Sequence, residues 1–74
     1  LTLSCRDRPG LVVEVANFVA RNGGNILDAQ QFNDRATGRF FMRVVFEAAG
    51  PAVDPATIRA EFAAYAAQNG MDWK

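Results

Sequence analysis

Histidine is absent from the 74 residues and cysteine occurs once, at Cys5. A zinc site of the usual Cys/His kind is therefore excluded, and an internal disulfide cannot form. A copper-carrier reading, which would want two cysteines at the first corner, fails for the same reason. The lone thiol has no imidazole to serve as a general base, so Cys5 is expected to be a small core residue, in a reducing, cytoplasmic compartment. No metal or cofactor is expected. No apolar stretch approaches bilayer-spanning length, and nothing at the start reads as a signal peptide. Neither sign of charge is in excess: eight Lys and Arg residues offset eight Asp and Glu, with no run of either. Nucleic acid and membrane surfaces are accordingly not expected as partners.

Half the residues are hydrophobic, so the chain should fold. Its length suits one domain over 1–74, too small for a deep internal active site. Because Leu1 opens and Trp73-Lys74 ends in mid-strand, the chain is expected to be part of a longer polypeptide.

Leu1, Leu3 and Cys5 alternate with Thr2 and Ser4, the period of a half-buried strand. Leu11, Val12, Val15, Phe18 and Val19 then fall at helical spacing, stopped by Asn22-Gly23-Gly24. Asn25 to Asp34 reads as strand two, Arg35 to Gly38 as a turn, and Arg39 to Glu47 as strand three. A four-residue loop would set Asp34 opposite Arg39, Phe32 opposite Phe41, Gln30 opposite Arg43 and Asp28 opposite Val45. That register sends Leu27, Ala29, Phe40, Met42, Val44 and Phe46 to the core and leaves Ile26, Phe32, Phe41 and Val45 as an apolar patch on the open face. A patch of that kind is expected to meet a partner. Asp54-Pro55 opens a second helix with Ile58, Phe62, Tyr65 and Ala66 on its buried stripe; Gly70 ends it and Met71-Asp72-Trp73 begins strand four. The order is a ferredoxin-like βαββαβ arrangement of the α+β class, a four-stranded antiparallel sheet with two helices on one face.

The corner Cys5-Arg6-Asp7-Arg8-Pro9-Gly10-Leu11-Val12 carries the chemistry. A helix beginning at Gly10 or Leu11 presents N–H groups without intrahelical partners, together with the positive end of its dipole, which suits a carboxylate. Asp7 can accept from an ammonium group, and Asn25 offers both a donor and an acceptor. Residue types alone equally allow a plain corner, the commoner case, in which Asp7 caps the helix, Pro9 and Gly10 shape the turn and Asn25 satisfies a backbone group. Arg8 is expected in a salt bridge with Asp7, Asp28 or Glu14.

Asp7-Arg8-Pro9-Gly10-Leu11-Val12 and Gly23-Gly24-Asn25-Ile26, in these positions, resemble the ACT domain, a small regulatory module that binds amino acids, usually between two copies. The stretch from Gly23 to Glu47 is similar to the amino-terminal ACT domain of the formyltetrahydrofolate deformylase family. That resemblance implies a ligand site at Asp7, Arg8, Pro9, Gly10, Leu11, Asn25 and Ile26, with Asp7, Gly10 and Asn25 matching the contacting positions of the family. It also implies glycine or methionine as effector and a carboxy-terminal catalytic domain that hydrolyses 10-formyltetrahydrofolate to tetrahydrofolate and formate for purine synthesis. That chemistry uses an Asn, His and Asp set, so a chain without His does not perform it. Strand two should be an edge strand in this topology, and its open edge is expected to pair with a second copy in a homo-oligomer. Arg6 stands where many relatives have proline. The resemblance leaves two other readings: an ACT domain that only assembles, or one belonging to an amino-acid-responsive transcriptional repressor. RNA binding fits poorly, since strand one has no aromatic residue to stack a base.

Overall fold

A computed structural model describes residues 1–74. The elements are β1 (Thr2–Arg6), α1 (Leu11–Arg21), β2 (Gly24–Asp34), β3 (Arg39–Ala48), α2 (Pro55–Gln68) and β4 (Asp72–Trp73). The strands form one antiparallel sheet in the order β2-β3-β1-β4. Buried sheet residues Leu3, Cys5, Phe40, Met42 and Val44 share one face and pack with Leu11, Val15 and Phe18 of α1 and Phe62 and Ala66 of α2. Both helices therefore cover the same side. All 13 buried residues are hydrophobic, which leaves every polar side chain to the rim, the loops or the open face.

Each helix forms where local chemistry starts and stops it. In α1, Leu11, Val15, Phe18 and Val19 recur at the 3.6-residue period and are buried. Its end is closed by Asn22, whose Nδ2 donates to the Phe18 carbonyl at 2.8 Å, and by Gly23 at φ 86°, a backbone conformation that glycine adopts without strain. At the start of α2, the Asp54 carboxylate accepts from the Ala56 N–H at 2.9 Å, and Pro55 takes a position where no N–H is needed. Phe18, Phe62 and Trp73 stack edge to face, with centroids 5.5 and 5.4 Å apart, tying α1 to α2 and α2 to β4.

The expected hairpin register holds at Asp34:Arg39, Phe32:Phe41, Gln30:Arg43 and Asp28:Val45. It breaks at Leu27, where a β-bulge shifts the pairing so that Ile26 lies opposite Phe46. The expectations there are corrected: Leu27, placed in the core, is 57% exposed, and Ile26, placed on the open face, is half-buried against the core. Ala29, also expected inside, is exposed on the edge strand β2. Tyr65 is half-buried at the core rim rather than fully inside.

Gly24 is required by close approach. A Cβ there would lie 2.6 Å from Val19 Cγ1 and 3.1 Å from the Val19 carbonyl oxygen. Gly24→Ala is therefore expected to destabilise the fold by about 1–3 kcal/mol, the usual cost of overpacking. Gly50→Ala, whose Cβ would meet nothing within 4 Å, should change stability by no more than about 0.5 kcal/mol. Urea unfolding of the two variants checks this; equal effects would contradict it.

Candidate functional site at the start of the first helix

After β1 the chain turns sharply, and the Asp7 N–H donates to the Gly38 carbonyl at 2.8 Å, which pins the corner to the hairpin turn. Gly10 is the residue that precedes α1, at φ 87° in the left-handed region, and no side chain caps the helix. A residue with a Cβ would be strained there, and one whose side chain reached back would occupy the N–H groups that Gly10 leaves open. Asp7 does not cap. Its two carboxylate oxygens instead accept from Asn33 Nδ2 at 3.2 and 3.1 Å, and Asn33 Oδ1 accepts from Gln31 Nε2 at 2.9 Å.

These groups line an open cleft of about 520 Å3 bounded by residues 7–13, Gln31, Asn33 and Phe40. Leu11 and Phe40 are buried beneath it, while Val13 is 62% exposed at its lip. One wall thus offers helix N–H donors, another a carboxylate with two amides, and the rest is aliphatic. An α-amino acid carries a matching carboxylate, ammonium group and side chain.

Asn33 and Gln31 did not stand out in the sequence. Their signal lay in the register: Cys5, Phe40 and Asn33 form one row across β1, β3 and β2, which puts Asn33 on the same face as Cys5, two strands away, where the Asp7 side chain beyond the end of β1 reaches it.

Arg8 lines the cleft with its guanidinium held by Glu14. It pairs through both guanidinium nitrogens with Glu14, Nη2 donating to Oε1 at 3.1 Å, and Glu14 Oε1 also accepts from the Tyr65 hydroxyl at 3.0 Å. The Arg8 hydrogen bonds, and then that of Tyr65, hold the Glu14 carboxyl below its ordinary pKa. Burial, and then the Glu14 hydrogen bond, push the Tyr65 phenol up. A three-residue link thereby runs from the corner through α1 to α2. Burial also pushes up the thiol of Cys5, which is 3% exposed and sits in the core as expected.

Within one chain the structure brings Asp7, Arg8, Pro9, Gly10 and Leu11 together and places Asn25 and Ile26 elsewhere. Asn25 donates to Glu47 Oε1 at 3.3 Å across the hairpin. It lies eight residues along β2 from Asn33, a distance of about 26 Å at the usual rise of a strand.

The βαββαβ order, with both helices on one face, is the ferredoxin-like architecture, here with an uncapped helix start opening on an edge cleft. The chain belongs to the ACT domain family, whose model matches residues 1–61. Formyltetrahydrofolate deformylase of Bacillus subtilis strain 168 is 38% identical over 74 residues, covering 99% of this chain and 25% of that protein. The crystal structure of formyltetrahydrofolate deformylase from Pseudomonas putida KT2440 superposes with a TM-score of 0.83 at 30% identity, covering 99% of this chain and 26% of that one. A glycine cleavage system transcriptional repressor, with a TM-score of 0.80 at 21% identity over 96% of this chain and 39% of its own, shares the fold. The chain spans about a quarter of the length of the deformylases it matches.

The Arg8–Glu14–Tyr65 link yields a pH test. A carboxyl whose pKa is lowered by folding contributes stability that is present above its ordinary value of 4.5 and is lost as the pH falls through the lower folded value. Lowering the pH from about 6 to about 3 spans the carboxylate range, and it should reduce the melting temperature of the wild type more than that of Glu14→Gln. Parallel curves would contradict the link.

Proposed function

We propose that this chain is the amino-acid-sensing and assembly domain of a formyltetrahydrofolate deformylase, an enzyme that releases formate from 10-formyltetrahydrofolate, and that the cleft at the start of α1 holds the effector. The observation that carries this reading is the uncapped helix start at Gly10 beside the Asp7 carboxylate. In the proposed complex the effector's carboxylate accepts from the first-turn N–H groups and its ammonium group replaces Asn33 as the partner of Asp7. The aliphatic lip at Val12 and Val13 takes the side chain. Glycine and methionine are the effectors the family resemblance suggests. They differ in how much of that lip they would cover.

The free edge of β2 supports the assembly half of the reading. Its only neighbour in the sheet is β3, so its outer N–H and C=O groups are open to a second copy. An antiparallel two-fold pairing centred near Ala29 would bring the Asn25–Ile26 end of one copy alongside the corner of the other. Asn25 and Ile26, remote from the cleft in their own chain, would then serve the second chain's site.

Calorimetric titration with glycine and with methionine tests this. Wild type is expected to bind at least one of them, and Asp7→Ala to weaken that binding by at least about tenfold. A matching loss in Asn25→Ala means the site spans two copies, whereas unchanged affinity in that variant confines it to one. No heat from a folded, associated chain would overturn the sensing role and leave an assembly domain.

A further inference from the structure

The sheet face opposite the helices has no cover within the fold, and its side chains are arranged in complementary columns. Along β2 the open face shows Asp28, Gln30, Phe32 and Asp34; along β3 it shows Val45, Arg43, Phe41 and Arg39, each opposite its β2 partner in that order. Over these four rows the acids stand on β2 and the bases on β3; the acid Glu47 continues the β3 column beyond them, opposite Asn25. Phe32 and Phe41 lie within the four rows, 61% and 42% exposed, with ring centroids 6.4 Å apart. A shallow cavity of about 350 Å3 beside the two rings is lined by Thr2, Gln30 and Arg43.

This pattern is self-complementary under one operation. A two-fold axis parallel to the strands and midway between β2 and β3 exchanges the two columns and turns the face onto a copy of itself. Phe32 then stacks over Phe41 of the second copy and Asp34 over its Arg39, each contact made twice. Gln30 comes over Arg43, and Asp28 comes over Val45 beside that same arginine. We propose that this face is an interface between two copies of the chain, packed sheet to sheet at the usual separation of about 10 Å.

The charged side chains it would use are only lightly held within the fold. Arg43 is in neither ion pair, and Arg39 donates to Ser4 Oγ at 3.2 Å and to the well-exposed Asp72 at 3.4 Å. Asp34 accepts from the Ala36 N–H within the turn and Asp28 from Gln30, so neither acid has a basic partner. Nucleic acid or an anionic membrane would meet the acidic column of β2, whereas a second copy turned about this axis sets that column against the basic one. The contact uses the face and not the edge of β2, so it is compatible with edge pairing and independent of any ligand at the corner.

Sedimentation velocity of the 74-residue chain over a range of concentrations tests the interface. Phe41→Glu lies on β3, whose two edges are already occupied, so it cannot act through edge pairing; it is expected to weaken association by at least about tenfold. Asp34→Arg should weaken it as well, and Asp34→Arg combined with Arg39→Asp should recover it, because the exchange restores opposite charges across the axis. Circular dichroism confirms that each variant is folded. A wild type that stays monomeric, association indifferent to Phe41→Glu, or a double exchange no better than the single change would each overturn the proposal.

Discussion

The register of β2 on β3 is the constraint from which the remaining features follow. It is set by the turn at residues 35–38, where the Gly38 N–H donates to the Asp34 carbonyl at 2.9 Å and the Gly38 carbonyl accepts from Asp7. One turn thus fixes both the hairpin and the corner. Because side chains alternate across a strand, a slip of one residue would carry Asn33 away from Asp7 and send Phe32 into the helix side. The bulge at Leu27 then resets the alternation, so that Ile26 reaches the core while Asp28 to Asp34 keep their register.

Most of the fold was legible because its signals are local. Alternation, helical spacing, the Asp54-Pro55 start and the glycine stops each lie within a few residues, and the four pairings of the hairpin follow from the loop length alone. Leu27 and Ile26 were misplaced because a bulge adds a residue without changing the apolar pattern; no residue type in Asn25 to Asp28 announces it. The cleft was half legible. Asp7 to Leu11 were visible as a contiguous motif, whereas Asn33 and Gln31 join it only through the sheet, across 26 positions of sequence in the case of Asn33 and Asp7. The Glu14–Tyr65 hydrogen bond spans 51 positions and had no local signal at all.

Two kinds of surface emerge from one small sheet. At the corner, backbone donors, a carboxylate and aliphatic side chains converge on an open cleft, an arrangement suited to a small zwitterion. On the opposite face, exposed charges and two exposed rings are ordered by register, an arrangement suited to protein. The Arg8–Glu14–Tyr65 link passes from the first of these to α2, so a ligand that displaced the corner would act on a helix packed through Phe62 into the shared core.

The proposed sensing role rests on one contact, an amino-acid carboxylate seated on the start of α1 that Gly10 leaves open. Amide NMR during titration with methionine, and separately with glycine, reads that contact residue by residue. The largest shifts are expected at the N–H groups of Leu11, Val12 and Val13 and at the side-chain amide of Asn33, as Asp7 exchanges its partner. Saturable binding that leaves those signals in place and moves others would contradict that contact.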